Sequence, residues 1–198
     1  ITKLSLNCYV TMKISFANEL AAICERIPGA DVDVVTTAIG ADARVGRKYL
    51  KGGLGFGGPC FPRDNLAFQR CAEDAWTWAH LSPRVVEVNR EIVDRLLAMV
   101  GEHALPGSTV ALLGLSYKPG THIVEESQPV MLARKLLDAG YVVRMHDPKA
   151  LSNASEVLKG RGVCCECPYE AVANASVVVM LTPWPQYSQL DIGRLEDR

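Results

Sequence analysis

The chain reads as an α/β protein in two bodies, an all-helical one over residues 1–104 and a doubly wound parallel sheet over 105–198. Up to about residue 104 the apolar residues recur at three-to-four spacing, the period of a helix with one buried face. Beyond the Pro/Gly break "ALPGS" at 104–108, short apolar strands alternate with helical segments at 20-to-35-residue spacing, as β-α-β units do.

The helical half begins with a long run from Lys3 to about Pro28, in which Leu4, Leu6, Tyr9, Val10, Ile14, Phe16, Leu20, Ala21 and Ile23 keep helical spacing and Gly29 ends the pattern. "DVDVVTTAIG" predicts a short helix with Asp31 as N-cap and Gly40 as terminator. The basic connector "ARVGRKYLKGG" leads into a glycine loop, after which a helix starts at Pro62 or Asp64. A long helix follows from about Pro83 to His103, with Val85, Val88, Ile92, Leu96 and Val100 as its apolar stripe and Arg84, Glu87, Arg90, Asp94 and Arg95 on the solvated side. In the second half, "TVALLGL" (109–115) is a buried strand, "SQPVMLARKLLDAG" a helix with Pro129 in its first turn, and "YVVRMHDP" a strand closed by Asp147-Pro148. A helix near 154–160, a strand around "GVCCEC", the helix "PYEAVANA" and the apolar strand "SVVVMLTPW" complete the alternation.

Composition excludes several classes. The net charge of −1 and 22% charged residues give no electrostatic reason to expect nucleic acid or membrane as a partner. No apolar run approaches the ~20 residues that span a bilayer, and "ITKLSLNCYV" does not resemble a signal peptide. Seven irregularly spaced cysteines imply reduced thiols and a cytoplasmic protein. "CCEC" at 164–167 fits no common zinc spacing, so no metal is expected.

The stretch "GGLGFGGPCFPRD" (52–64) carries the chemistry. Its G-x-G-x-G follows no strand, and the first strand of the α/β half ends in a single Gly114, so neither is a dinucleotide fingerprint. Glycines let the main chain turn its N–H groups inward, a helix starting near Pro62 sets its positive end beside Cys60, and Asp64 follows four residues later. Spacing alone leaves two readings open: a nucleophilic cysteine with an acid/base neighbour, or a tight turn beside an idle thiol. Lys3 and Asn7 are likewise either an i, i+4 pair aimed at one oxygen or an exposed lysine and a mid-helix asparagine.

"GFGGPCFPRD" resembles the catalytic loop of the UDP-glucose/GDP-mannose dehydrogenase family. "TKLSLNCYVTMKISFANELAAIC" is similar to that family's central helix, and "AIGADARVGRKYLKGGLGFGG", "VNREI" and "LLGLSYKPGT" follow in the family's order across essentially the whole chain. The resemblance implies a helical central dimerisation domain followed by a Rossmann-like nucleotide-sugar-binding domain. It also implies oxidation of a nucleotide-sugar C6 alcohol to a carboxylate with two NAD. By residue match Cys60 attacks the intermediate aldehyde and becomes a thioester, Lys3 and Asn7 stabilise the oxyanion, and Asp64 activates the hydrolytic water. Tyr49, Leu50, Lys51, Phe56 and Gly57 match positions lining the sugar and nucleotide. Arg44 matches an arginine reaching a neighbouring subunit's substrate in a homodimer, and Tyr117 and Lys118 match the C-terminal domain's contact to the nucleotide sugar.

The sequence departs from the family in "KPGTHIVEES", where Gly120, His122 and Ile123 replace acidic or polar positions and Glu125 stands for the usual arginine. Family members also carry a dinucleotide-binding domain ahead of the central helix and an arginine beyond "LEDR". The chain is therefore expected to be a fragment, inactive alone, with NAD bound mainly by the missing N-terminal domain. Two other classes remain: a non-catalytic nucleotide-sugar-binding or dimerisation module, and a redox-sensing thiol protein built on "CCEC".

Overall fold

The computed structural model describes residues 1–191. Four helices come first: α1 (Thr2–Cys24), α2 (Val32–Gly40), α3 (Phe61–Asp74) and α4 (Leu81–His103). After them run β1 (Thr109–Leu113), α5 (Gln128–Asp138), β2 (Val142–His146), α6 (Leu151–Val157), β3 (Val163–Cys164), α7 (Pro168–Val172), β4 (Val177–Met180) and a 3-10 turn, Pro185–Gln189. The contacts divide the chain into units Ile1–Ile92 and Val93–Arg198, a division that falls inside α4.

In the first unit the buried face of α1 is small and polar, made of Thr11, Ser15, Ala17, Asn18 and Ala21. Buried hydroxyls and amides need partners, and these find them on α3 and α4. Asn65 Nδ2 donates to Thr11 Oγ1 (3.0 Å) and to the Phe61 carbonyl (2.9 Å). Ser82 Oγ donates to Asn65 Oδ1 at 2.9 Å, and Ser15 Oγ to the Val85 carbonyl at 3.1 Å. A satisfied network of this kind fixes the register of three helices in a way that interchangeable apolar side chains would not. As expected, Asp31 caps α2, its Oδ1 accepting from the Asp33 N–H at 2.7 Å.

The sheet of the second unit is parallel, in the order β3-β2-β1-β4. Every residue from Val110 to Leu113 is fully buried, as an inner strand covered on both faces requires. Gly114 at the end of β1 has φ +96°, and a Cβ there would lie 2.6 Å from the backbone nitrogen of Thr182, so no other residue fits. β4 is an edge strand and leaves Val178 and Met180 exposed although it reads as strongly apolar. The helix expected near 154–160 lies earlier, at Leu151–Val157, directly after a turn in which Asp147 Oδ1 accepts from the N–H groups of Lys149 and Ala150. Arg95, read as solvated, is half-buried on α4.

α3 ends in a Schellman turn, with Trp76 N–H donating to the Glu73 carbonyl at 3.0 Å and Thr77 N–H to the Ala72 carbonyl at 2.9 Å. That turn places Trp76 at φ +55°, where glycine is the ordinary occupant, and its side chain is 96% exposed. Removing the side chain loses no packing and relieves left-handed strain. Trp76→Gly is therefore expected to stabilise the chain by about 1 kcal/mol in urea unfolding.

Candidate functional site

Asp64 lies in the first turn of α3 and is buried. Its Oδ2 accepts from Lys3 Nζ at 2.8 Å and from Asn7 Nδ2 at 2.6 Å, and Arg63 Nε lies 3.5 Å from Oδ1. The i, i+4 spacing of Lys3 and Asn7 on α1 lets both reach one oxygen. The Lys3 hydrogen bond chiefly holds the Asp64 carboxyl below its usual range, partly opposed by burial and assisted by Asn7 and the charges of Lys3 and Arg63. Lys3 and Asn7, both named from the sequence, thus converge on the Asp64 carboxylate, the third residue so named.

Cys60 is the N-cap of α3, one turn before Asp64, whose N–H donates to the Cys60 carbonyl at 2.8 Å. Its side chain is exposed. A second thiol meets the backbone of Asp64: Cys8 Sγ is 3.9 Å from the Asp64 carbonyl, and burial pushes this thiol up. Cys8 carried no motif and was not singled out in sequence.

The loop that delivers Cys60 is tied at two points by asparagines absent from the expected site. Asn18 Oδ1 accepts from the Gly53 N–H at 3.1 Å. Asn89 grips Phe56 by both backbone groups, accepting from its N–H at 2.7 Å and donating to its carbonyl at 2.9 Å. Asn89 lies in the quoted "VNREI", but nothing in its spacing shows that it faces the loop. Phe56 and Gly57 are buried, and the Phe56 ring meets Phe61 edge-on at 6.3 Å. Gly52 is closely packed: a Cβ there would lie 3.0 Å from the Ala21 side chain and 3.2 Å from that of Val32, so these neighbours would have to give by a few tenths of an ångström.

Other candidates fall around the preceding connector. Leu50 is buried, while Tyr49 and Lys51 are exposed. Tyr49 adopts φ +63°, a left-handed conformation that is costly for a non-glycine residue. Arg44 is turned onto Asp42, with Nη2–Oδ2 at 2.6 Å and Nε–Oδ1 at 3.0 Å. Lys13 Nζ donates to the carbonyls of Val45 and Gly46 and pins this connector to α1.

In the second unit, Tyr117 and Lys118 follow β1 on a loop anchored by a buried acid. Asp147 Oδ2 accepts from the N–H groups of Leu115 (2.7 Å) and Ser116 (3.1 Å) and from Trp184 Nε1 (3.1 Å). Burial raises the Asp147 carboxyl, but the N–H donors of Leu115, Lys149, Ala150 and Ser116 outweigh it and hold the group below its ordinary range. Ser116 Oγ donates to the Lys118 carbonyl at 2.9 Å, and Lys118 Nζ lies 5.4 Å above the Tyr117 ring. Cys164 and Cys165 of "CCEC" line a separate cleft of about 480 Å³ with His146, Lys149, Ser152 and Glu166. Among the described residues no three His, Cys, Asp or Glu side chains converge to hold a metal ion, and no helix is long and apolar enough to cross a membrane.

Residues 1–91 match the central domain of the UDP-glucose/GDP-mannose dehydrogenase family, and residues 111–198 match its UDP-binding domain. The chain belongs to this family. It is 38% identical over 200 residues to the UDP-glucose 6-dehydrogenase of Rhizobium meliloti, a match covering 99% of this chain and 45% of that protein. Identity to the UDP-glucose 6-dehydrogenase TuaD of Bacillus subtilis is 36%, covering 98% of this chain and 42% of that one. Its fold superposes on a UDP-glucose dehydrogenase from the hyperthermophilic archaeon Pyrobaculum islandicum with a TM-score of 0.91 at 40% identity, over 96% of this chain and 44% of the other. The chain thus spans less than half the length of the relatives it matches.

The lowered Asp64 carboxyl has a measurable pH consequence. A depressed acid adds stability above its unfolded pKa of ~3.9 and loses it as pH falls through the folded value. Lys3→Met leaves burial less opposed, so the Asp64 titration seen by carboxyl carbon NMR should move upward. The stability difference between Lys3→Met and the parent should be present at neutral pH and shrink below pH ~4.

Proposed function

We propose that this chain is the cysteine-bearing and nucleotide-sugar-binding part of a nucleotide-sugar 6-dehydrogenase that acts on UDP-glucose. The observation that carries this reading is the meeting of Lys3, Asn7 and Asp64 one helical turn from an exposed Cys60. The UDP-glucose 6-dehydrogenases among its relatives supply the substrate.

Each side chain then has a task. The Cys60 sulfur adds to the carbon of the C6 aldehyde, and the carbonyl oxygen becomes an oxyanion that the Lys3 ammonium and Asn7 amide can bind. Both donors converge on a single oxygen, Asp64 Oδ2, so they are already oriented to meet an oxygen together. Once that carbon is oxidised to the thioester, Asp64 takes a proton from the attacking water and the thiolate of Cys60 leaves. Tyr49, Leu50, Lys51, Phe56 and Gly57 line the sugar and nucleotide, Tyr117 and Lys118 hold the nucleotide from the second unit, and Arg44 serves a neighbouring subunit. NAD supplies the two hydride acceptors. On this reading NAD is bound mainly by the family's dinucleotide-binding domain, in keeping with the lack of a G-x-G-x-x-G fingerprint at Gly114 or in the 52–58 loop.

In the enzyme completed by its dinucleotide-binding part, Cys60→Ser should nearly abolish acid formation. Asp64→Asn should slow thioester hydrolysis by roughly 10²–10⁴ and let an acyl-enzyme accumulate, visible as added mass on the intact protein. Near-normal turnover by Cys60→Ser removes the thiol from the mechanism.

The reading includes a homodimer. α1 buries its small polar face and leaves Leu6, Tyr9, Phe16 and Ile23 exposed, an apolar stripe that a second copy can cover. Light scattering at micromolar concentration should give twice the chain mass, and Phe16→Glu should shift it to monomer. A parent chain that is monomeric refutes the dimer.

A further inference from the structure

We infer that Asn89 is a positioning residue for Cys60, acting through the backbone of Phe56. The inference rests on the reading of Cys60 as nucleophile. Between Gly52 and Gly58 only Leu54 and Phe56 are not glycine, so this loop has little side-chain packing with which to fix itself. Gly53 at φ +141° and Gly58 at φ +76° flank the segment with conformations that side chains rarely permit.

Phe56 is where this pliant segment is gripped. Asn89 presents a carboxamide to it as a neighbouring strand would present a peptide group, with one acceptor at 2.7 Å and one donor at 2.9 Å. All of these groups are buried, so the pairing is shielded from competing water. The Phe56 ring then meets edge-on the ring of Phe61, the residue directly after Cys60. Asn89 therefore connects α4, through Phe56 and Phe61, to the start of α3 that carries the thiol. Asn18 ties the far end at Gly53 by one bond, and so limits the loop without setting its register at Phe56.

Hydrogen exchange on the parent chain is the first test. The Phe56 amide should exchange at least ~100-fold more slowly than an unstructured amide, and exchange at the unstructured rate overturns the inference without any substitution. The second test follows alkylation of Cys60 by iodoacetamide with and without millimolar UDP-glucose, with exposed Cys164 and Cys167 as internal controls. UDP-glucose should slow Cys60 alone in the parent. If it does not, the proposed function fails while the exchange result still judges the clamp.

Asn89→Leu keeps an apolar body of similar size but no polar groups. It should speed Phe56 exchange at least ~10-fold and remove the UDP-glucose protection of Cys60 while thermal unfolding stays cooperative. Asn89→Asp keeps the acceptor for the Phe56 N–H and should retain part of both effects, a rescue that loss of stability alone would not produce. A folded Asn89→Leu chain with parental exchange and protection refutes the positioning role. Should neither variant fold, the parent's exchange measurement decides.

Discussion

The first unit is organised around a single buried carboxylate. The Lys3 ammonium and the Asn7 amide on the same oxygen outweigh burial, which raises the Asp64 carboxyl, and hold the group below its usual range. Both donors sit on α1 and the acceptor on α3, so the contact that sets the charge also sets how the two helices meet. Directly behind it, Asn65, Thr11 and Ser82 form a polar seam from α1 through α3 to the start of α4. Large apolar residues would tolerate a slip along such a seam, whereas hydroxyls and amides with fixed partners do not. The consequence reaches the surface: with its inner face given to small polar residues, α1 carries its bulkier side chains outward.

The second unit solves a similar problem differently. Asp147 is held by hydrogen-bond donors from both its own strand end and the loop after β1. Its neighbour His146 is likewise satisfied internally. His146 Nδ1 and the Tyr187 hydroxyl lie 2.9 Å apart, with the imidazole tautomer setting which of them donates, and the same hydroxyl lies 3.0 Å from the His146 carbonyl. Burial pushes the imidazole down and the phenol up, which keeps both neutral. The loop bearing Tyr117 and Lys118 is thereby rigid at its root, Leu115–Ser116, and exposed at its tip, Lys118–Gly120.

What was legible in the sequence follows from which signals are local. Asp31 caps α2 through chemistry confined to a few residues, whereas Gly40, read as the terminator, is the last helical residue and Ala41 in right-handed conformation is the C-cap. The break at 104–108 separates the first four helices from the strands. Cys60 and Asp64 stood out because a glycine-rich turn and a helix start meet there. The interactions joining distant segments were not legible: Asn65 and Asn89 look like ordinary mid-helix asparagines until the helix that each faces is known. α3 also ends without its usual sign, because Trp76 occupies the glycine position of the turn. β4 was legible as a strand, though an apolar run reports β propensity and not whether its faces are covered.

The abundance of bare backbone around one thiol now has a physical explanation. Ordering the seven residues from Gly52 to Gly58 costs on the order of 10 kcal/mol in conformational entropy, and glycine makes that cost larger. Side chains at these positions would lower it, but at Gly52 a side chain would press on α1 and α2 at 3.0 and 3.2 Å, and Gly53 and Gly58 hold positive φ that side chains rarely adopt. A bulkier loop would also stand between Asn89 and the main chain of Phe56. The loop is thus thin enough to be held by its own peptide groups, with asparagine amides supplying the specificity that side-chain packing supplies elsewhere. Such a loop leaves the Cys60 side chain exposed at the start of α3.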